Sequence, residues 1–406
     1  MRALLSTIGS RGDVQPLLAL AQALRALGHE STLCVPPTFT SWVEELGFAC
    51  VPIGPDVKPG PGNSVPVKLS ALPKAKLQAM AEGTVRTQFQ AVMTAAQGVD
   101  LIVGANALQV AAPSIAETLG VPYVFAAYAP VTLPSPEHAP PKMGSRHWPP
   151  LPGALHRLMW RRDARHWNAR WGPVLNAERA KLGLAPVRDV RRYVLTERPW
   201  LAADAALAPA PRGAGTPIVQ TGAWLLSDPT PLPEQLERFL AAGEPPVYFG
   251  FGSMRGAEQT GALLLAAARA LGRRAVVLQG WSNVGVGDGG DDCLSVGDVD
   301  HAKLLPRVAA AVHHGGAGTT TAAARAGVPQ VVVPHHYDQI YWARRVKTLG
   351  IGAWRFTRDG LTRESLIAAL RAALRPDVSD RARDLARRVE LHGAGVAARR
   401  LVQPSH

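Results

Sequence analysis

The 406 residues contain three cysteines, Cys34, Cys50 and Cys293, and none of them sits in a CxxC pair. That excludes a disulfide framework and leaves no zinc-ligand spacing. No run reaches the ~18 apolar residues that a membrane span needs. The opening MRALLSTIGSRGD has too short an apolar segment for a signal peptide and ends in a charged turn. A cytoplasmic location is the simplest expectation. The P-loop pattern GxxxxGK[ST] is missing, and so is the GxGxxG turn with a later acidic residue that NAD requires. No basic stretch is interleaved with aromatics, so nucleic acid is not an expected partner. The acid pairs Asp291-Asp292 and Asp298-x-Asp300 fall in or near loops and do not mark a metal site. Neither a metal nor a cofactor is expected.

What the chain does have is hydrophobic content of 47% and a net charge of +13. The first suffices for two full cores, and the second suits an anionic ligand or surface. Residues 2–8 (RALLSTI) read as a buried strand, Gly9 to Asp13 as a turn, Leu17 to Leu27 as a helix, and STLCVPP as the next strand. The same order returns at PVYFGFGSMRGAEQTGALLLAAARALGRRAVVLQG: strand 247–251, a Gly/Ser turn, helix 259–271 and strand 275–279. Further strands are read at 100–106, 122–128, CLSVG, AAVHH and PQVVVP, with no clear hairpin signal. Repeated βαβ units predict an α/β fold of two doubly wound, Rossmann-like domains facing one another across a cleft. The first spans 1–210, a Pro/Gly-rich linker 211–232 and the second 233–390, and 391–406 reads as a last basic amphipathic helix.

The stretch HHGGAGTTTAAARAGVPQVVVP, from His313 to Pro334, carries the chemistry. A strand runs into GGAG, and a helix is expected to begin near Thr319. Free backbone N–H groups at a helix N-terminus form an anion site, and glycines let the anion approach closely. The hydroxyls of Thr319 and Thr320 can cap the helix or donate to a phosphate oxygen, and His314 adds a further donor. Asp338 and Gln339 follow the next strand and can hold sugar hydroxyls; as a bare dipeptide they also suit a solvated loop. Asp13 lies near the start of the first helix. Its position there suggests either a helix cap or a general base, and the helix dipole would lower its pKa. Residues 55–75 read as a long loop, where variable binding surfaces sit, and 129–153 as a Pro-rich, aromatic segment. On the basic helix that follows, His156, Trp160, Trp167 and Trp171 share one face. Core packing, the wall of an apolar pocket and weak contact with an anionic membrane surface all remain open for it.

Five stretches carry a resemblance over nearly the whole chain: GSRGDVQP (9–16), VQTGAW (219–224), PPVYFGFGS (245–253), VGDVDHAKLLPRVAAAVHHGGAGTT (296–320) and GVPQVVVPHHYDQ (327–339). They resemble the GT-B nucleotide-sugar glycosyltransferases, above all the bacterial enzymes that decorate glycopeptide and macrolide antibiotics. The resemblance implies inverting, metal-independent transfer of a hexose from a UDP- or dTDP-sugar to a hydroxyl of an apolar natural product. It implies Asp13 as the general base, an acceptor site in the first half of the chain, and a last helix, 391–406, that crosses back to pack on the first domain. Ser10, Arg11 and Gly12 would face the donor or acceptor. Ser253, His314, Gly316, Ala317, Gly318 and Thr319 would hold the phosphates, and Val299 and Trp281 would lie on the donor side. Asp338 and Gln339 would read the sugar. Plant relatives have a base-stacking Trp where this chain has Val296 and a ribose-binding Glu where it has Ala322. Losing that ribose clamp is compatible with a deoxyribose, so dTDP is as well suited as UDP. A sterol or lipid acceptor, a GT-B epimerase and a nucleotide-sensing protein are the rival readings.

Overall fold

The computed structural model describes residues 1–56, 72–106, 108–141, 151–251, 260–279, 290–354 and 360–403. The first sheet holds β1 (Arg2–Ser6), β2 (Glu30–Val35), β3 (Ala49–Pro52), β4 (Leu101–Ala105), β5 (Tyr123–Ala127), β6 (Trp200–Leu201) and β7 (Val219–Gln220), in the order 3-2-1-4-5-6-7. The second holds β8 (Val247–Gly250), β9 (Ala275–Leu278), β10 (Cys293–Val296), β11 (Ala310–His313), β12 (Gln330–Val332) and β13 (Gly352–Ala353), in the order 10-9-8-11-12-13. The strand pairs in both sheets are parallel.

The central strands are apolar without interruption because both faces are covered by helices. Leu5 sits opposite Leu33 on one side and Val103 on the other, and all three are fully buried. The order reverses between β1 and β4 in the first sheet and between β8 and β11 in the second. Ligands bind at such reversals, beyond the carboxyl ends of the strands. The fold therefore brings the loops after β1, β4 and β11 to the cleft, together with Gly250 at the end of β8.

Three expectations about elements change. The first helix begins at Arg11, not Leu17, so Arg11, Gly12 and Asp13 form its first turn. The helix expected near Thr319 begins at Ala317, with Gly316 as its N-cap. The segment taken as linker from 211 contains β7, which pairs with β6, and Trp224, which is buried against Tyr128. The first domain thus extends past Gln220. A two-residue strand among prolines and glycines is too short to show alternation, which is why it reads as linker.

The last helix, Gly393–Val402, packs on the helix Arg11–Ala26 of the first domain. Ala397 and Ala398 are fully buried in one apolar cluster with Leu17, Leu18 and Leu24. Close approach at its start depends on Gly393: a Cβ there would stand 2.4 Å from the Ala223 carbonyl oxygen. Gly393→Val should destabilise the chain by about 1–3 kcal/mol through overpacking. Hydrogen exchange along Arg11–Ala26 should rise with it. Unchanged protection in that helix would refute the packing.

Candidate active site in the interdomain cleft

Asp13 is the third residue of its helix, and three donors hold its carboxylate. Oδ2 accepts from the Ser10 amide at 2.7 Å and from the Ser10 hydroxyl at 3.1 Å. Oδ1 accepts from the Asn106 side-chain amide. A carboxylate has about four lone-pair sites, so one on Oδ1 is left for a ligand hydroxyl. The local sequence is built around this group. Gly9 takes φ +151°, and a Cβ there would stand 2.2 Å from Asp13 Oδ2. The Tyr128 hydroxyl donates to the Asp13 backbone carbonyl at 3.0 Å. Asn106 directly follows β4; it has a left-handed φ of +59°, and its N–H donates to the Ala126 carbonyl at 2.8 Å. Such a conformation is uncommon outside glycine and tends to mark functional positions.

Burial raises the pKa of Asp13, while Asn106 and Ser10 pull it back. This reverses the shift expected from the helix dipole: removing the carboxylate from water outweighs the first-turn N–H groups. A raised pKa makes a stronger base.

Across the cleft, β11 delivers His313 and His314. His313 is fully buried: Nδ1 accepts from the Gly315 amide at 3.0 Å, so Nε2 carries the proton and donates to Gln330 Oε1 at 2.9 Å. It braces the turn. Gly315 takes φ +87°, and a Cβ there would meet Val332 Cγ1 at 2.7 Å. His314 lines the cleft, and burial pushes it down to about 4, so it is neutral at physiological pH. Its Nε2 lies so close above Gly316 that a Cβ there would be 2.5 Å away. The amides of Ala317, Gly318 and Thr319 open the helix with no intrahelical partner, and all three residues line the cleft. Thr320 does not join them. It is fully buried, and its hydroxyl donates back to the Gly316 carbonyl at 2.8 Å.

The cleft encloses about 1170 Å³. Ser10, Arg11, Gly12, Asp13, Val299, Asp338 and Gln339 line it together with the His314 loop. Ala322 also lines it, whereas Val296 is buried in the second domain's core. Ser253 and Trp281 lie outside the described residues. Three side chains have tasks other than those first considered. Arg11 pairs with Asp298 at 2.8 Å across the cleft and stacks 4.1 Å above the Trp42 ring. Gln339 uses its amide oxygen to hold the backbone of His335 and His336, at 2.8 and 3.1 Å. Asp338 accepts from the Trp342 indole at 3.0 Å. Burial, with Asp13 adding to it, pushes Asp338 up to about 6. On the helix Gly153–Lys181 the tryptophan face divides. His156 and Trp160 are buried, bonded to the Pro136 and His138 carbonyls; Trp171 belongs to the first domain's core with Trp167 packed against it, and both also reach the cleft.

Two parallel-sheet domains facing one another across a cleft, with a buried carboxylate on one side and a free helix N-terminus on the other, have the architecture of the GT-B class. Known proteins agree. The glycosyltransferase family 28 N-terminal domain matches residues 3–135. The C-terminal domain described as "Erythromycin biosynthesis protein CIII-like" matches residues 269–399. Three Amycolatopsis orientalis proteins are similar along most of their length. Glycosyltransferase GtfC is 43% identical, covering 99% of this chain and 97% of its own. Vancomycin aglycone glucosyltransferase is 40% identical over 99% and 97%. dTDP-epi-vancosaminyltransferase is 40% identical over 94% and 92%. The glycosyltransferase VinC, solved with dTDP, shares the fold at a TM-score of 0.69 and 22% identity, over 99% and 98% of the two chains. The chain belongs to the GT-B nucleotide-sugar glycosyltransferases.

Two predictions follow from the carboxylates. Asn106 stabilises the charged form of Asp13, so Asn106→Ala should raise the Asp13 pKa further. The acidic limb of kcat/KM against pH should then move to higher pH, with a loss of about ten-fold or more below neutrality. An unmoved limb would show that Asn106 does not act through Asp13. Asp338 has a folded pKa raised from 3.8 to about 6. Its stabilising contribution is complete below the lower value and is lost as pH rises through the upper one. Asp338→Asn should therefore raise stability at pH 7.5 by about 1–2 kcal/mol, allowing for solvent screening, and by nothing at pH near 3.5. An equal Tm difference at both pH values would contradict this.

Proposed function

We propose that the chain transfers a hexose from dTDP- or UDP-sugar to a hydroxyl of a natural-product acceptor such as a glycopeptide or macrolide. Transfer is a single inverting displacement that requires no metal. The observation that carries this reading is that Asp13 and the amino end of the helix Ala317–Arg325 line one cleft from opposite domains. The diphosphate lies on the amides of Ala317, Gly318 and Thr319, where the helix dipole favours negative charge. Neutral His314 donates a hydrogen bond to a phosphate oxygen. As the leaving group takes up charge, these fixed donors need no reorganisation, which is their contribution to the transition state.

On the other side, an acceptor hydroxyl donates to the open lone pair of Asp13 Oδ1. It attacks the anomeric carbon opposite the departing diphosphate, and Asp13 takes the proton as the new C–O bond forms. One carboxylate suffices, because no glycosyl-enzyme is formed. Ala322 supports a dTDP donor, since it offers no carboxylate to a ribose 2′-hydroxyl, and the 40%-identical relative named for dTDP points the same way. The name of the vancomycin aglycone enzyme supports a large hydroxylated acceptor.

Thermal-shift titration with dTDP, UDP, GDP and NAD tests the donor side. A pyrimidine diphosphate at a hundred times its Kd should stabilise the chain by about 2.7 kcal/mol, and NAD should not. Asp13→Asn should keep that shift but lower glycoside formation by about 100- to 10,000-fold with vancomycin aglycone as probe acceptor. EDTA should leave turnover unchanged. No shift with either pyrimidine nucleotide, or near-normal turnover in Asp13→Asn, would overturn the reading.

A further inference from the structure

The cleft has an uneven distribution of charge. Six aspartates line it, and each is already partnered. Asp13 is held by Ser10 and Asn106, Asp163 by Arg191, and Asp298 by Arg11. Asp338 accepts from Trp342, Asp300 from the Ala302 amide and Asp228 from the Thr230 amide. Arg170 differs. It lines the cleft from the helix Gly153–Lys181, half-buried, and its guanidinium has no ion pair and no hydrogen-bond acceptor among the described residues. It lies 5.7 Å from the ring centre of Trp171, which is 8% exposed and also lines the cleft. Trp167, one turn earlier, completes an aromatic wall. A second cation without such a partner, Arg325, stands on the donor side by Ala322, where the nucleotide brings its own charge.

We propose that this wall selects an aromatic acceptor that carries an anionic group, a carboxylate above all, with Arg170 holding the anion while the rings lie against Trp167 and Trp171. The inference rests on the transferase reading and names its acceptor class. A cation held half out of water beside an apolar wall gains from an anion that arrives with its own apolar body, because both charges are then paired as they are desolvated. The aspartates do not supply that charge: Asp163 and Asp298 pair with Arg191 and Arg11, and none of the six pairs with Arg170 among the described residues. A neutral acceptor would cover Arg170 and leave it unpaired, which disfavours such ligands.

The test compares a hydroxynaphthoic acid with its methyl ester, which differ in charge and little else. Binding is read by quenching of tryptophan fluorescence, with dTDP present. The acid should bind about ten-fold more tightly than the ester. Arg170→Gln should abolish that preference by weakening the acid alone, while Arg170→Lys should keep part of it. Raising the salt concentration should narrow the gap in the wild type. Equal binding of acid and ester, a preference that survives Arg170→Gln, or no quenching by either compound would each overturn the proposal. The dTDP-induced rise in Tm of the wild-type chain is read in the same samples. If that rise is absent, it is the transferase reading that fails; if it is present without acid preference, only the acceptor class is wrong.

Discussion

The packing of the last helix on the first one ties the site together. Ala397 and Ala398 lie fully buried against the helix whose first turn contains Arg11 and Asp13. The second domain thereby reaches around and holds the element that carries Asp13. Arg11 completes the link by meeting Asp298 across the cleft. Exposed ion pairs contribute little to stability, so the apolar helix contact, not this salt bridge, fixes the relation of the domains. The placement of Asp13 opposite the amino end of the helix Ala317–Arg325 depends on that relation, because the two come from different sheets.

Within each domain the parallel sheet does the same job. Parallel strands end together, so loops far apart in sequence meet at one edge. Asp13 follows β1, Asn106 follows β4, and His314 follows β11. The two halves differ in what they present there. The first gives a carboxylate whose charge is costly to bury, and which is made tolerable by Ser10 and Asn106. The second gives unpaired amides and a neutral imidazole, which cost little until an anion arrives. The proposed transfer would use that division, with a proton leaving an acceptor hydroxyl on one side and charge growing on a diphosphate on the other.

Much of this was legible in the chain. Apolar runs followed by Gly/Ser turns locate both reversal points, and the HHGGAG turn marks the free helix N-terminus at the cleft. What escaped the sequence reading lies at long range or inside short elements. Asn106 and Asp13 are 93 residues apart, and Arg11 and Asp298 are 287 apart. No local pattern encodes either pair, although an Asn placed directly after a buried strand was a usable hint. β7 has two residues and showed no periodicity. The direction of the Asp13 shift was misjudged because the helix dipole is visible in sequence and burial is not. Thr320 looked like a phosphate donor, but its hydroxyl turns back on its own helix.

The cradle is tested most directly by calorimetric titration of dTDP into the wild-type chain and a Gly316→Ala variant. A methyl group at that position would stand 2.5 Å from His314 Nε2, so the imidazole or the turn must move. If the diphosphate lies on this helix end under His314, affinity should fall by about ten-fold or more while the fold survives. Unchanged dTDP affinity in the folded variant would mean that the nucleotide binds elsewhere.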